Sequence, residues 1–599
     1  MQKRLTRAEV PVEETWNLTD LFPNIEAWQD EMAAVEKNVA NVTKYKGRLG
    51  EGAATFLECA NAQEELQKQF MRTAVYAYLV LSSDGTSPAN QMVAGRAAAL
   101  MAKLDAETSF IRSESLALPD GTLERYLTTE PGLASLRRVV ERMIEEKPHV
   151  LSQPTEFALA ALGEVLSAPG MTYGRSKSSD MTFDPVTDGQ GHQVPMSFAV
   201  YEGTYERSPD TTLRRNAFAS FTKGLKAFQN TYGALWGTEV KKNVVLAKLR
   251  GYKSATDMIL SQQEVSLEVY NNLHDIILKE LAPHMRRYAE LRKRVLGLDK
   301  LLYCDIEAPL DPEFSPPATF EAASDIILKG LSVLGTEYTE IMATAMKNRW
   351  IDRADNVGKS TGAFCYGAYG VHPYILITWS NNMRNVLTLA HELGHAGHDM
   401  LSQRSQRLAN IFPSMFFVEA PSTINEIIVG QDILAKSTDT RMRRWVIMQF
   451  LATYHHNFVR HLIEGELQRR LYARAEAGEP ITAAALSQVQ GEILTEFWGD
   501  TVEIDDGARL TWMRQPHYYD GLYPYTYSAG LTVGTAVAQA IREEGRPAVD
   551  RWLSVLRAGG TLKPIDLAKL AGVDMSKPDP IRKAVTYVES LVDEVVKSF

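Results

Sequence analysis

The chain has 599 residues, 45% hydrophobic and 23% charged, with a formal net charge of -10. This is the composition of a large globular protein, long enough for one very large domain or for two or three lobes. Its mild acidity argues against nucleic acid as a partner. Cys59, Cys304 and Cys365 are too few and too scattered for a disulfide framework or a thiolate metal site, so a reducing compartment, by default the cytoplasm, is expected. Met1 to Glu9 carries early basic residues with no apolar core behind them, so no signal peptide is expected, and without a run of about 18 apolar residues no membrane span is predicted.

From Trp16 to about Ser152 the periodicity is helical. Amphipathic stretches run over Ile25 to Tyr45, Ala53 to Ser82 and Asn90 to Ala117, punctuated by Lys46 to Gly52 and Pro119 to Gly121. This predicts an up-and-down helical layer that packs rather than reacts. Between Met171 and Tyr205 the pattern becomes extended, with Met181 to Phe183 and Val194 to Phe198 flanking the turn signal Asp188-Gly-Gln-Gly191. A β-hairpin is expected there. Helix resumes after Ser208-Pro209-Asp210, read as a cap with proline at the first helical position, and continues over Leu213 to Lys248 and from Leu267 past Leu291. Leu301 to Phe314, rich in Pro and Asp, reads as a connection between lobes or a surface crossing. The chain is expected to divide into an N-terminal helical lobe at residues 1–205, with the hairpin near its end, and a catalytic lobe at residues 206–599.

Thr361 to Gly370 is glycine-rich and is followed by a β-branched, aromatic strand, Tyr374 to Trp379. Placed just before the next helix, that strand is expected either to offer its edge to an extended peptide or to be an ordinary sheet strand. His372 is expected to be structural, and Cys365 to be of interest only as a thiol near the cleft.

The next segment carries His391-Glu392-Leu-Gly-His395 within a helix-compatible apolar pattern from Asn382 to Met400. Residues four apart share a helix face, so the imidazoles of His391 and His395 can converge on one ion with metal–nitrogen distances of about 2.0–2.1 Å. Glu392 beside them can take a proton from the attacking water and hand it to the leaving amine. With 12 histidines in the chain, this pattern arises by chance in only about one or two chains in a hundred.

Two histidines leave the metal short of one protein ligand. The metzincin arrangement is excluded, because His398 and Leu401 stand where it needs Gly and His. His398 lies roughly 10.5 Å along the helix from His391, too far to share the ion with both other histidines, and is expected to pack or to support the site from outside. The remaining candidates are Glu419 and Glu426. Pro421 must lie in the first turn of their helix, which puts Glu419 near its start and Glu426 two turns on. At most one of them ligates, and spacing does not choose between them.

Farther on, His517 to Tyr527 holds five tyrosines and one histidine in eleven residues, opening onto a helix at about Tyr527 to Arg542. Such donors aimed at one point could stabilise the oxyanion of a tetrahedral intermediate. The plainer alternative is tyrosines wedged between helices.

These residues together resemble the thimet oligopeptidase family of zinc metallopeptidases. The resemblance is carried by His391-Glu392-Leu-Gly-His395, by Phe417-Val-Glu419-Ala-Pro421-Ser422, and by the His517 and tyrosine cluster. Within the family the oligoendopeptidase F group is most similar. Trp16 to Phe22, Arg250 to Ser254, Lys359 to Phe364, Ala558 to Gly560 and Lys569 to Met575 extend the likeness over nearly the whole chain.

The resemblance implies a mostly α fold of two helical lobes, zincin-like and neurolysin-like, flanking a deep channel with a small sheet beside the active-site helix. It implies one Zn2+ per chain, held by His391, His395 and Glu419, with Glu426 supporting a ligand imidazole. Glu392 would be the general base, and His517 with Tyr527, then Tyr523, would hold the oxyanion. The expected substrates are short unstructured peptides cut at internal bonds, with no nucleic acid or membrane partner and a monomer or homodimer as the assembly. A dipeptidyl carboxypeptidase on the same scaffold is the nearest alternative. It would need a cationic anchor, for which Arg384, Arg509 and Arg514 are candidates. A non-catalytic, zinc-stabilised peptide-binding protein is the alternative of a different class.

Overall fold

A computed structural model describes residues 4–599; the first three residues of the basic N-terminal stretch lie outside the described residues. The N-terminal amphipathic stretches fold close to the expected positions. Helices span Ile25–Asn38, Ala53–Ser83, Pro88–Thr108 and Phe110–Ala117. Side chains set their starts: Asn24 accepts from the Ala27 amide at 2.8 Å, and Ser87 from the Asn90 amide at 3.4 Å. The first stretch does not run unbroken to Tyr45, since a separate turn of helix covers Ala40–Thr43.

Three other expectations need correction. Helix persists to Ser179, past Met171, so the hairpin is shorter and later than predicted: β1 (Val186–Thr187) pairs antiparallel with β2 (Gln193–Val194) around the Asp188–Gly191 turn. Pro209 precedes the cap rather than opening the helix. Asp210 is the cap, accepting from the Thr212 and Leu213 amides at 2.9 and 3.1 Å, and the helix runs over Thr211–Leu249. The run from Leu267 is interrupted by a wide π turn at Ile277–Leu281. Pro283 follows; it lacks an N–H and its ring crowds the carbonyl four residues back, which the wider turn relieves.

The second sheet is β3 (Ile351–Asp352), β4 (Phe364–Tyr366) and β5 (Tyr374–Leu376), in the order β3-β5-β4. β5 pairs parallel with β3 and antiparallel with β4, so the strand expected as a possible edge lies at the centre. The cause is burial on both faces. Tyr374 and Leu376 pack into an N-terminal apolar core that also holds Trp16, Trp28 and Phe56, while Ile375 and Ile377 pack into the large C-terminal core. A continuous apolar run of this kind belongs to a strand covered on both sides. The free edge beside the site belongs to β4, which pairs only with β5 among the described residues.

The architecture is thus mostly helical, with two apolar cores and a small sheet between them. No helix among the described residues is long and apolar enough to cross a membrane. Within Leu301 to Phe314, expected as a connection or surface crossing, residues 306–312 and Phe314 line a cleft of ≈ 590 Å³ that reaches His391, Glu419 and Tyr527.

Candidate metal centre

The histidine helix spans Met383–Ser405. It opens on Asn382, whose side chain accepts from the Asn385 amide at 3.1 Å. Its apolar face, including Val386, Leu389, Leu393 and Ala396, is buried, which leaves His391 and His395 together on another face, with His391 lining the cleft. Two glycines set the packing around them. At Gly394 a Cβ would stand 2.6 Å from Ser422 Cα and 2.8 Å from the Pro421 carbonyl carbon. At Gly397 it would stand 2.7 Å from the Tyr338 hydroxyl. Only glycine lets the neighbouring backbone and ring come so close.

The element against Gly394 is the glutamate helix, Ala420–Lys436, with Pro421 in its first turn and Glu419 at the cap, as the sequence predicts. Ser422 Oγ donates to the Glu419 backbone oxygen and to its Oε2, both at 2.9 Å, and so fixes the carboxylate. Glu419 Oε2 lies 3.4 Å from His391 Nε2 and 3.5 Å from His395 Nε2. One ligand atom from each of the three residues lies within 4.8 Å of the others.

This donor set fits zinc. A tetrahedron with metal–ligand bonds of about 2.0–2.1 Å has edges of about 3.4 Å, which the two carboxylate–imidazole separations match. Glu426 is placed otherwise. Its Oε2 stands 3.4 Å from His391 Nδ1, on the far side of the ring, while its Oε1 accepts from Thr453 Oγ1 at 2.6 Å. A carboxylate in that position selects the tautomer that leaves Nε2 free for a metal. Burial would raise the Glu419 carboxyl, but its hydrogen bonds to His391 and His395 win and hold it well below the usual range.

Glu392 is buried beside this centre, 6% exposed. Burial is the largest influence on its carboxyl and pushes its pKa up, with the two imidazoles opposing. A carboxylate shifted this way binds a proton more readily at neutral pH. Cys365 on β4 lies close enough to feel that charge, and burial pushes its thiol pKa up, away from the reactive thiolate.

Tyr527 lines the same cleft as His391 and Glu419, Tyr523 also lies close enough to feel the Glu419 charge, and His517 packs beside both tyrosines. His517 lies on a short helical turn, Pro516–Tyr519, with its amide donating to Gln515 Oε1 at 3.1 Å. Its ring centre is 4.5 Å from Tyr523 and 5.9 Å from Tyr527, and the two phenol rings are 5.3 Å apart. Tyr523 caps the tyrosine helix, Pro524–Glu544, which begins earlier than predicted, and Tyr527 follows one turn in. Burial lowers the His517 pKa and raises that of Tyr523, so these groups stay neutral donors at pH 7.

The other three tyrosines belong to packing. Tyr525 is fully buried and donates to Gln263 Oε1 at 2.7 Å. Tyr518 stacks on Trp236 at 3.8 Å, and Tyr519 lies 5.0 Å from Tyr173. Tyr518 and Tyr525 are thus wedged between helices with their hydroxyls buried rather than at the surface, whereas Tyr523 and Tyr527 are only partly buried and pack against His517.

Other singled-out residues separate from the centre. His372 stacks on Trp350 at 4.3 Å, with Nε2 3.0 Å from Asp20 Oδ2. His398 is buried, and burial pushes its pKa down to about 3, which keeps it a neutral packing group. Arg514 is buried and paired with Glu206 at 2.6 Å, Arg509 packs over Gly491, and Arg384 lines the cleft.

Sequence reasoning missed His456, His461, Glu464 and Gln515. His461 stacks on Tyr527 at 4.2 Å and lies 2.7 Å from Glu464 Oε2 through Nδ1, with Gln515 Nε2 at 3.3 Å. Burial would raise the Glu464 carboxyl, but the charge of His461 and its neighbours outweighs this and holds it down to about 2. A signal existed: His455, His456 and His461 crowd one seven-residue stretch of helical sequence. A wide π turn at His455–Arg460 then brings the His456 and His461 rings to 4.3 Å.

Known proteins resemble this chain in sequence and fold. Peptidase family M3 matches residues 204–587, and the family described as Oligopeptidase F matches residues 114–183. Oligopeptidase PepF of Bacillus subtilis is 34% identical over 98% of this chain and 88% of its own length. A peptidase structure from Chlamydophila abortus, described as putative, superposes with a TM-score of 0.88 at 25% identity, covering all of both chains. Oligoendopeptidase-F from Enterococcus faecium superposes with a TM-score of 0.75 at 27% identity, covering 96% of this chain and 99% of that one.

Proposed function

The chain belongs to peptidase family M3, in its oligoendopeptidase F group, and from that premise we propose that it is a zinc-dependent endopeptidase cutting internal bonds of short, unstructured peptides. The observation that carries the proposal is the convergence of His391, His395 and Glu419, with the Glu419 carboxylate at tetrahedral-edge distances from both imidazoles, beside a buried Glu392. A zinc ion held by these three would supply Lewis acidity to the scissile carbonyl and acidify the attacking water.

The chain's own residues do the rest. Glu392 accepts the water's proton on its carboxylate and returns it to the leaving amine. His517, Tyr527 and Tyr523 donate toward the developing oxyanion, each good donor being worth about 2.7–4 kcal/mol. His461, stacked on Tyr527 and held by Glu464, limits where that phenol can point. The free edge of β4, rather than β5, is the strand open to an extended peptide backbone. Family membership makes the chain a metallopeptidase rather than a bare peptide-binding protein.

The test uses a quenched fluorescent peptide blocked at both ends. The wild-type protein should hydrolyse it and the chelated protein should not. Glu392→Gln should keep one zinc and lose turnover by several orders of magnitude. Wild-type turnover by zinc-loaded Glu392→Gln would overturn the mechanism, and failure to cut the doubly blocked peptide while cutting its free-acid form would favour the exopeptidase.

A further inference from the structure

Arg384 is the second residue of the histidine helix, seven residues before His391. Seven residues are about two turns and about 10.5 Å of rise, so its guanidinium emerges on the same face as the metal ligands, two turns upstream. It is exposed within the cleft that His391, Glu419 and Tyr527 also line. One guanidinium nitrogen donates to Gln449 Oε1 at 2.8 Å.

What distinguishes Arg384 is its lack of a counter-ion. The other charged groups along this wall are matched. Arg207 pairs with Glu307 at 3.5 Å, Glu307 also with His455 at 2.9 Å, and Asp311 with Arg441 at 2.5 Å. Arg292 donates to the Ala308 carbonyl at 3.0 Å and lies over the Tyr288 ring. Among the described residues, Arg384 alone of the arginines lining this cleft has neither an ion pair nor an aromatic face. Its surroundings disfavour the charge: although its tip is open to the cleft, desolvation by the protein mass around it, then repulsion from Arg207, push its pKa down, only partly offset by Glu426 and Glu307. Guanidinium is built for bidentate contact with a carboxylate, and a bound anion would relieve that cost.

We propose that Arg384 is a substrate subsite for a carboxylate about three residues from the scissile bond. The spacing follows from about 10.5 Å of helix rise set against about 3.3 Å per residue of extended peptide. The proposal rests on the endopeptidase reading and deepens it: peptides with a suitably placed anion are the preferred substrates. Two sources share the chemistry, an Asp or Glu side chain and the peptide's own terminal carboxylate. Trp445 and Met448 on the same wall supply apolar surface beside the guanidinium for the neighbouring side chain.

The test is a peptide series around one fixed cleavable bond. An Asp is stepped through the three positions on each side, each peptide is paired with an Asn twin, and each is made with a free and an amidated C-terminus. Wild-type kcat/KM should favour one Asp position, or the free acid, by roughly tenfold, mostly through KM. Arg384→Gln should collapse that acid-to-neutral ratio toward one, and Arg384→Glu should invert it in favour of a Lys peptide. The Asp arm and the free-acid arm identify the source. Zinc content of each variant, measured directly, separates loss of the subsite from damage to the metal centre. An unchanged acid-to-neutral ratio in Arg384→Gln overturns the proposal. Fluorescence anisotropy of the same peptides reads the carboxylate preference without turnover. No hydrolysis by the wild type alongside carboxylate-dependent binding would therefore fail the peptidase reading alone, and hydrolysis without that dependence would fail the subsite alone.

Discussion

Gly394 is the residue on which the ligand geometry turns, and Gly394→Ala tests it. The added methyl would stand 2.6 Å from Ser422 Cα and 2.8 Å from the Pro421 carbonyl carbon. Non-bonded carbons settle at about 3.5–4.0 Å, so the start of the glutamate helix must withdraw by about 1 Å. Glu419 moves with it, while metal–ligand distances tolerate only about 0.2 Å. The metal-free protein can relax by letting the helices part, but the metal-bound one cannot. The overpacking cost of about 1–3 kcal/mol therefore falls on metal binding, and the zinc Kd should rise about 5- to 150-fold. Competition against a chromophoric chelator measures this directly. Gly95→Ala is the control: Gly95 lies within a helix with no atom within 4 Å of the added methyl, so the same change should be neutral or stabilising by up to about 1 kcal/mol. Wild-type zinc affinity in Gly394→Ala would refute the idea that this close approach sets the centre.

The two glutamates should part in a metal titration: Glu419→Ala should lose stoichiometric zinc, whereas Glu426→Gln should retain it with about 10- to 100-fold weaker affinity. Tyr527→Phe should lower kcat by about 10²–10³-fold in a continuous peptide assay, while Tyr525→Phe, which breaks the buried bond to Gln263, should show as about 1 kcal/mol of lost stability in a urea melt. His274 supplies a pH dependence. It is fully buried, its Nδ1 lies 2.9 Å from the Tyr270 carbonyl, and burial pushes its pKa from 6.5 down to about 4. The unfolded chain therefore binds this proton below pH 6.5, and the folded chain does not until about pH 4. Stability present above pH 6.5 is lost as the pH falls toward 4, by roughly 3 kcal/mol from this group. Urea melts of the metal-free protein at pH 7 and pH 4.5 should show a difference that shrinks in His274→Gln, and an equal difference in both proteins would sink the assignment.

The candidate metal-holding cluster of His391, His395 and Glu419 was legible in the sequence because its spacing is local. His391 and His395 need only a helix to share a face, and Pro421 fixes where Glu419 sits relative to its own helix. Local spacing could not choose Glu419 over Glu426, because that choice depends on which side of the His391 ring each carboxylate reaches, a consequence of how two helices cross at Gly394. The helices were readable from their 3.6-residue apolar period, and their errors fall where a single residue overrides that period, at Pro209 and at the turn before Pro283.

Of the two readings open for Tyr374 to Trp379, the ordinary sheet strand holds and the edge does not, because composition and place before the histidine helix do not fix an edge, whereas burial on both faces and pairing on both sides do. A run with no polar alternation already implied a covered strand. The same logic separates the tyrosines. Composition marks all five from Tyr518 to Tyr527 alike, yet only Tyr523 and Tyr527, four apart at the start of one helix, share a face with His517. The partner that holds Tyr527, His461, is 66 residues away in the chain, so the crowding of His455, His456 and His461 marks the stretch but not its pairing with that phenol. If His461 acts by restraining that phenol, His461→Phe should preserve the stack and most of kcat, whereas His461→Ala should lower kcat with little change in zinc affinity. Equal losses in the two variants would mean that the imidazole itself, through Glu464, takes part in the proton chemistry.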